Sequence, residues 1–218
     1  YLRLVKIGSG TLTLNGTNEY LGGTTVNGGT LQLNAGAWGT GIIRGTATVN
    51  NGATLELGVG GSNTNPMTWT DTVNINGGGT LTVSTGGALP YDVAQYFGAL
   101  NLDSSNGNAA QVTASSNTGL RFRSTAGSVI NSTGPVANTI SSNLWLVNIG
   151  APGTSAVNVA GGNALTLSGN IADYPSLGNT TFIKGGSGTL TLSGNNSFVG
   201  TTSISAGVVS AQGGGATC

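Results

Sequence analysis

The chain has 218 residues, 40 of them glycine, and only 6% are charged, with six basic and six acidic side chains that cancel. Zero net charge removes any general attraction to nucleic acid or anionic lipid, and the absence of histidine excludes His-based acid–base catalysis, Ser-His-Asp triads and imidazole metal sites. A hydrophobic fraction of 37% argues against disorder, and no stretch approaches the roughly 20 apolar residues of a membrane helix.

The first predicted element is the strand around Thr11 to Leu14, where Leu12 and Leu14 alternate with threonine. Similar apolar pairs follow at Leu31/Leu33, Leu55/Leu57, Leu81/Val83, Leu100/Leu102, Leu120/Phe122, Leu144/Leu146, Leu165/Leu167, Leu190/Leu192 and Val209/Ala211. Alternation of this kind marks a strand, because successive side chains point to opposite faces. A second strand precedes most pairs: it ends at Val26, Val49, Ile75, Val159 and Ile204. Corners rich in Gly and Asn separate the two, such as Asn27-Gly28-Gly29 and Gly161-Gly162-Asn163, and these residues tolerate the left-handed backbone of a tight corner. No segment has clear helical periodicity; the best helical candidate is the short stretch Asp92 to Leu100. A recurring unit of about 22 residues signals a solenoid. The expected fold is all-β, a right-handed parallel β-helix of about ten coils forming a single domain over residues 1–218, each coil stacking its inward Leu and Val on the next.

Two copies of the unit are much sharper than the rest. Residues 4–34 run "LVKIGSGTLTLNGTNEYLGGTTVNGGTLQLN", and residues 182–211 keep Lys184, Gly186 to Leu192, Gly194, Asn196, Gly200 and Thr202 at matching places. The second copy has Phe198 for the first copy's Tyr20, and Thr201 for Gly23. Both resemble the autotransporter-associated β-strand repeat, also called the passenger-associated transport repeat. That resemblance implies a β-helical bacterial protein, extracellular or at the cell surface, and implies no particular activity.

The search for reactive chemistry yields little. The acids are Glu19, Glu56, Asp71, Asp92, Asp103 and Asp173, and glycoside hydrolysis needs two of them about 5–10 Å apart. The neighbours expected for Glu56 in adjacent coils are Gln32 and Thr82, and those for Asp103 are Ser84 and Arg123. Asp103 with Arg121 or Arg123 reads as a surface ion pair. No catalytic, metal or cofactor site is expected, and the chain is read as a non-enzyme. The lone Cys218 allows no internal disulfide; it is a tail residue or a thiol for another chain. A Thr-x-Thr array would suggest ice binding, but Glu56, Arg121 and Trp145 interrupt the expected outward column. Trp145 is itself a candidate exposed contact for sugar or protein, and Trp38 and Trp69 are expected to tuck loops onto the rod.

What remains is the rod's ends. The chain starts without Met or signal peptide, as expected of a processed product or part of a longer chain. Open β-helix ends present unpaired strand edges, and a head-to-tail contact between them propagates into a filament. The expected partner is therefore a second copy, joined through the terminal coils at Leu12, Leu14, Leu190, Leu192 and Val209, with surface glycans or host-surface molecules as further candidates and neither nucleic acid nor membrane insertion. The reading is a structural extracellular bacterial protein, a stalk, adhesin or filament subunit; the alternative is a carbohydrate-binding or carbohydrate-active β-helix.

Overall fold

The computed structural model describes residues 1–15, 18, 20–34, 43–59, 67, 70–85, 94–115, 118–122, 129–146, 154–173 and 180–212. Trp38, Trp69, Cys218, Arg123, Glu19 and Asp92 lie outside them. The chain winds as a parallel β-solenoid with no helix among the described residues. One nine-stranded sheet stacks β1 (Leu4–Lys6), β3 (Thr24–Val26), β5 (Thr46–Val49), β7 (Thr72–Asn76), β10 (Ala99–Asp103), β13 (Ile130–Thr133), β16 (Thr154–Val159), β19 (Thr181–Gly185) and β21 (Thr202–Ile204) in that order. A second nine-stranded sheet stacks β2 (Thr11–Asn15), β4 (Gly29–Asn34), β6 (Ala53–Val59), β8 (Thr80–Thr85), β11 (Gln111–Ala114), β14 (Asn138–Ile140), β17 (Ala164–Leu167), β20 (Thr189–Leu192) and β22 (Val208–Ala211). A third sheet has four strands: β9 (Ala94–Phe97), β12 (Gly119–Phe122), β15 (Asn143–Leu146) and β18 (Ile171–Asp173). The segment with the best helical reading thus supplies β9 and the start of β10.

The described residues form nine coils, a correction to the ten expected. The apolar pairs of the sequence do not all lie on one sheet. Leu100/Leu102 belongs to β10 in the first sheet, while Leu120/Phe122 and Leu144/Leu146 belong to β12 and β15 in the third. In those coils the second sheet carries weaker pairs, Val112/Ala114 in β11 and Asn138/Ile140 in β14. All three sheets share the two-residue alternation, so the strongest pair per coil is not always on the same side.

The second sheet also shifts its register. Leu12, Leu31, Leu55, Leu81, Val112, Ile140, Leu167, Leu192 and Ala211 stack as one inward column. The pair Leu165/Leu167 therefore sits two residues out of step with Leu12/Leu14. Two outward columns result. One is Thr11, Thr30, Thr54, Thr80, Gln111, Thr139, Thr166, Thr191, Ser210. The other begins Thr13, Gln32, Glu56, Thr82, Thr113 and continues through Ser141, Ser168, Ser193 and Gln212, whose amides donate to Val112, Ile140, Leu167 and Leu192. Arg121 and Trp145 stand in neither column; they pair with each other in the third sheet.

The core is a continuous apolar stack drawn from the inward faces of the three sheets, including Val26, Leu31, Ile75, Leu100, Leu120 and Leu165. At the corner between the first and second sheets it turns polar. Ser104, Ser132, Asn138 and Asn163 are buried there. The Ser132 hydroxyl donates to Asn163 Oδ1 at 2.5 Å, Asn138 Nδ2 donates to Ser132 Oγ at 3.0 Å, and Asn163 Nδ2 donates to the Gly134 and Val136 carbonyls at 2.8 Å. Ser104 Oγ donates to the Val136 carbonyl at 2.6 Å. These side chains satisfy corner carbonyls that the ladders leave over, so the polar burial is compensated.

Candidate functional site

The two sharp copies of the repeat span the first two and the last two described coils, and each buries a lysine in the earlier coil of its pair. Lys6 is 7% exposed and Lys184 is 0% exposed. Lys184 sits in an inward column with Val73, Leu100, Ile130 and Val157, where the other coils below it carry uncharged side chains. An ammonium brings three donors and no acceptor. Lys184 Nζ donates to the carbonyls of Gly185 at 2.8 Å, Gly186 at 2.7 Å and Ala206 at 3.1 Å. Lys6 Nζ donates to those of Ile7 at 2.9 Å, Gly8 at 2.8 Å and Gly28 at 2.8 Å. The two sites use the same offsets: the next two residues, and the residue 22 further on in the following coil. Each lysine is thus a clip between its own corner and the next one. All six acceptors are main-chain carbonyls, and burial holds the Lys184 pKa below its ordinary 10.5.

The glycines of the repeat follow from this packing. Gly29 and Gly207, 23 residues beyond their lysines, have φ of 61° and 75°. A Cβ on Gly207 would come within 2.8 Å of Lys184 Nζ and 2.6 Å of the Gly186 carbonyl oxygen. A Cβ on Gly29 would come within 2.6 Å of the Gly8 carbonyl oxygen. A side chain at either place would force the corner off the clip. The aromatic of the repeat closes the coil's remaining side: Phe198 packs on Phe182 with ring centroids 5.6 Å apart. Tyr20 occupies the corresponding place in the first copy and packs against the core, where burial raises its pKa above 10.0. Both lysines belong to the repeat's pattern, but the sequence alone assigns them no role. An isolated Lys in an otherwise uncharged strand, followed by Gly-x-Gly, was the available signal.

The predicted contact residues divide. Leu12 is exposed and Leu14 half-buried on the first coil, and Val209 is half-buried on the ninth. Leu190 and Leu192, expected among the joining residues of the terminal coils, are buried because β22 covers β20, and that placement is corrected. The outer coils instead expose Ile7 and Val5 at one end, and Ile204 and Val208 at the other.

Trp145 is also corrected: it is only 6% exposed. Its neighbours Leu144 and Leu146 fill the core, and its indole reaches across to Gly119, where a Cβ would meet the ring at 2.5 Å. It still lines a groove of about 380 Å³ with Asn143, Asn170, Asp173, Asn195 and Ser197. The Asn143 and Asn170 side chains each accept an amide from the coil above, at 3.0 and 2.9 Å. Asp173 Oδ2 accepts the Val199 amide at 2.6 Å, while its Oδ1 is buried with no hydrogen-bond partner among the described residues.

The described carboxylates sit in different coils. Glu56 lies between Gln32 and Thr82 as expected, and takes hydrogen bonds from Gln32 Nε2 at 3.2 Å and Ser84 Oγ at 2.6 Å. Asp71 is buried and accepts the Gly45 amide at 2.7 Å. Asp103 pairs with Asn76 and Thr133 in the ladder, in place of the expected Ser84 and Arg123. Its pKa is lowered, first by the Ser105 backbone amide and then by the Ser105 and Thr133 hydroxyls. Among the described residues no cluster of three or more His, Cys, Asp or Glu could hold a metal.

The fold and the clipped corners define a β-solenoid repeat protein. The family model described as Passenger-associated-transport-repeat matches residues 4–33 and 182–211. The chain thus carries two copies of that repeat within its β-solenoid, in the first two and last two coils of the described residues. No curated protein and no solved structure matches it.

Proposed function

We propose that this chain is a structural segment of a secreted or surface-displayed bacterial protein, a β-helical stalk or filament subunit whose outer coils stack on further coils, those of a second copy included. Its role is mechanical and not catalytic. The observation that carries the reading is the apolar, partnerable surface at both outer coils. Among the described residues β1 and β2 each pair on one side only, as do β21 and β22. Ile7 and Leu12 are exposed at one end, and Ile204 and Val208 at the other. Unpaired parallel edges with exposed apolar side chains template further strands, and a stack of unlike ends does not close. Negative-stain electron microscopy and light scattering across a concentration series test this. Rods that lengthen with concentration, and that Val208→Lys returns to single units, support it. Single rods of about 40 Å, the span of nine coils at the usual strand spacing, at every concentration would overturn it.

The groove beside Trp145 favours a second reading, glycan binding. Three asparagines, a serine, a carboxylate with one unsatisfied oxygen and an indole edge form a set of groups suited to sugar hydroxyls. Retention on a glycan array that is lost in Asp173→Ala supports it, and no retention on any glycan refutes it.

A further inference from the structure

We propose that the outer face of the second sheet is an ice-binding surface. The register is the starting observation. Two outward columns run side by side up all nine coils, one starting at Thr11 and the other at Thr13. Seven of the nine residues in the first column are threonine, and the other two are Gln111 and Ser210. None of the eighteen positions is buried. Two of the three interruptions that the sequence pattern suggested, Arg121 and Trp145, belong to the third sheet and leave this face altogether.

Backbone geometry turns the columns into a lattice. Stacked strands repeat at about 4.8 Å along the rod, and alternate residues on one strand lie about 6.6 Å apart. The face is therefore a grid about 38 Å long, set by hydrogen-bonded ladders, with ten threonines, four serines, three glutamines and Glu56 at its eighteen positions. Threonine holds its groups firmly because its branched Cβ restricts χ1. The one charge on the face, Glu56, is tied down by Gln32 and Ser84. Thr82 and Thr113 hydrogen-bond along the second column at 3.0 Å.

The chemistry selects the occupant. A flat, rigid, repeating array gains most from a partner that repeats too, because many weak contacts then form together. A glycan chain is usually gripped by aromatic rings in a concave site, and none of the eighteen positions is aromatic. A protein partner would be read through charge or large apolar anchors, and the two columns have one tethered charge and no large apolar side chain. A crystalline water surface is periodic, uncharged and matched to hydroxyls, and the methyl group beside each threonine hydroxyl orders the water around it.

The test is ice-affinity partitioning with thermal hysteresis, on the intact chain. The unsubstituted protein is expected to concentrate in slowly grown ice and to open a hysteresis gap. The double variant Thr54→Lys, Thr166→Lys places a cation in each half of the array; it is expected to be excluded from ice like a non-binding protein, with unchanged circular dichroism. Thr48→Lys, on the outer side of the first sheet, is expected to behave as the parent. Exclusion of the parent from ice overturns the proposal, as does a double variant that partitions like the parent. Retention on crystalline cellulose without entry into ice overturns it too, and assigns the face to a polysaccharide.

Discussion

Replacing Lys184 with methionine tests the clip most directly. Lys184→Met keeps a straight side chain of similar size and removes only the ammonium. Three carbonyls, of Gly185, Gly186 and Ala206, lose their donor. A hydrogen bond to a charged group contributes about 1.5–3 kcal/mol, which sets a high ceiling for three. Two effects reduce it. Removing a buried ammonium relieves its desolvation, which costs several kcal/mol, and Gly186 is exposed, so its carbonyl regains water. The balance is a loss of about 2–4 kcal/mol. For a chain of this length that corresponds to a fall in melting temperature of about 4–16 °C. Because solenoid coils are held by their neighbours, the loss is local. Hydrogen exchange should show the amides of Ser205 and Val208, which bond to Lys184 and Gly188, losing protection first. Coils built from β4 through β14 should keep theirs. Unchanged or raised stability, with the ninth coil still protected, would mean that desolvation outweighs the three bonds and would refute the clip.

Two further predictions follow from buried polar groups. The depressed Lys184 pKa means that the unfolded chain binds more protons than the folded one between the lowered value and 10.5, so stability rises with pH across that window. Tyr20 acts oppositely above 10.0, where the folded state retains a proton that the unfolded chain has lost. Melting temperature should therefore climb once the pH passes the lowered Lys184 value and fall above 10.5, where only the Tyr20 effect remains, and in Lys184→Met the climb should vanish while the fall remains; a parent curve flat over the climb would contradict this. Asn163→Ala strands the Gly134 carbonyl and removes the acceptor of the Ser132 hydroxyl, while Val136 keeps its bond from Ser104; the loss is about 2–4 kcal/mol, measurable as a lowered urea midpoint, and an unchanged midpoint would show that water replaces the amide fully.

Most of the solenoid is legible in the residues. The Leu12/Leu14 type of pair, the preceding strand ending at residues such as Val49, and the Gly and Asn corners between them define the first two sheets. What misled was equivalence between coils. Leu144-Trp145-Leu146 has the same pattern as Leu165-Thr166-Leu167, yet they occupy different sheets. Alternation reports that one face is buried, and is silent on which side of the coil that face belongs to. The slip at β14 was hidden for a related reason: Asn138 fills an inward place where an apolar residue was expected. The lysines escaped because a buried cation without a carboxylate is unusual, and its partners are main-chain oxygens that carry no sequence signature.

The coils also differ in length. Leu4 to Thr24 is one turn of 20 residues, Leu100 to Ile130 one of 30, and Lys184 to Ile204 again one of 20. Among the described residues only the middle turns build the third sheet, so the outermost contacts between coils rest on two ladders. Under tension along the rod these contacts act as links in series, and the chain of links yields at its weakest. The lysines bridge the first contact and the last. They reinforce those two links, where only two ladders carry the load.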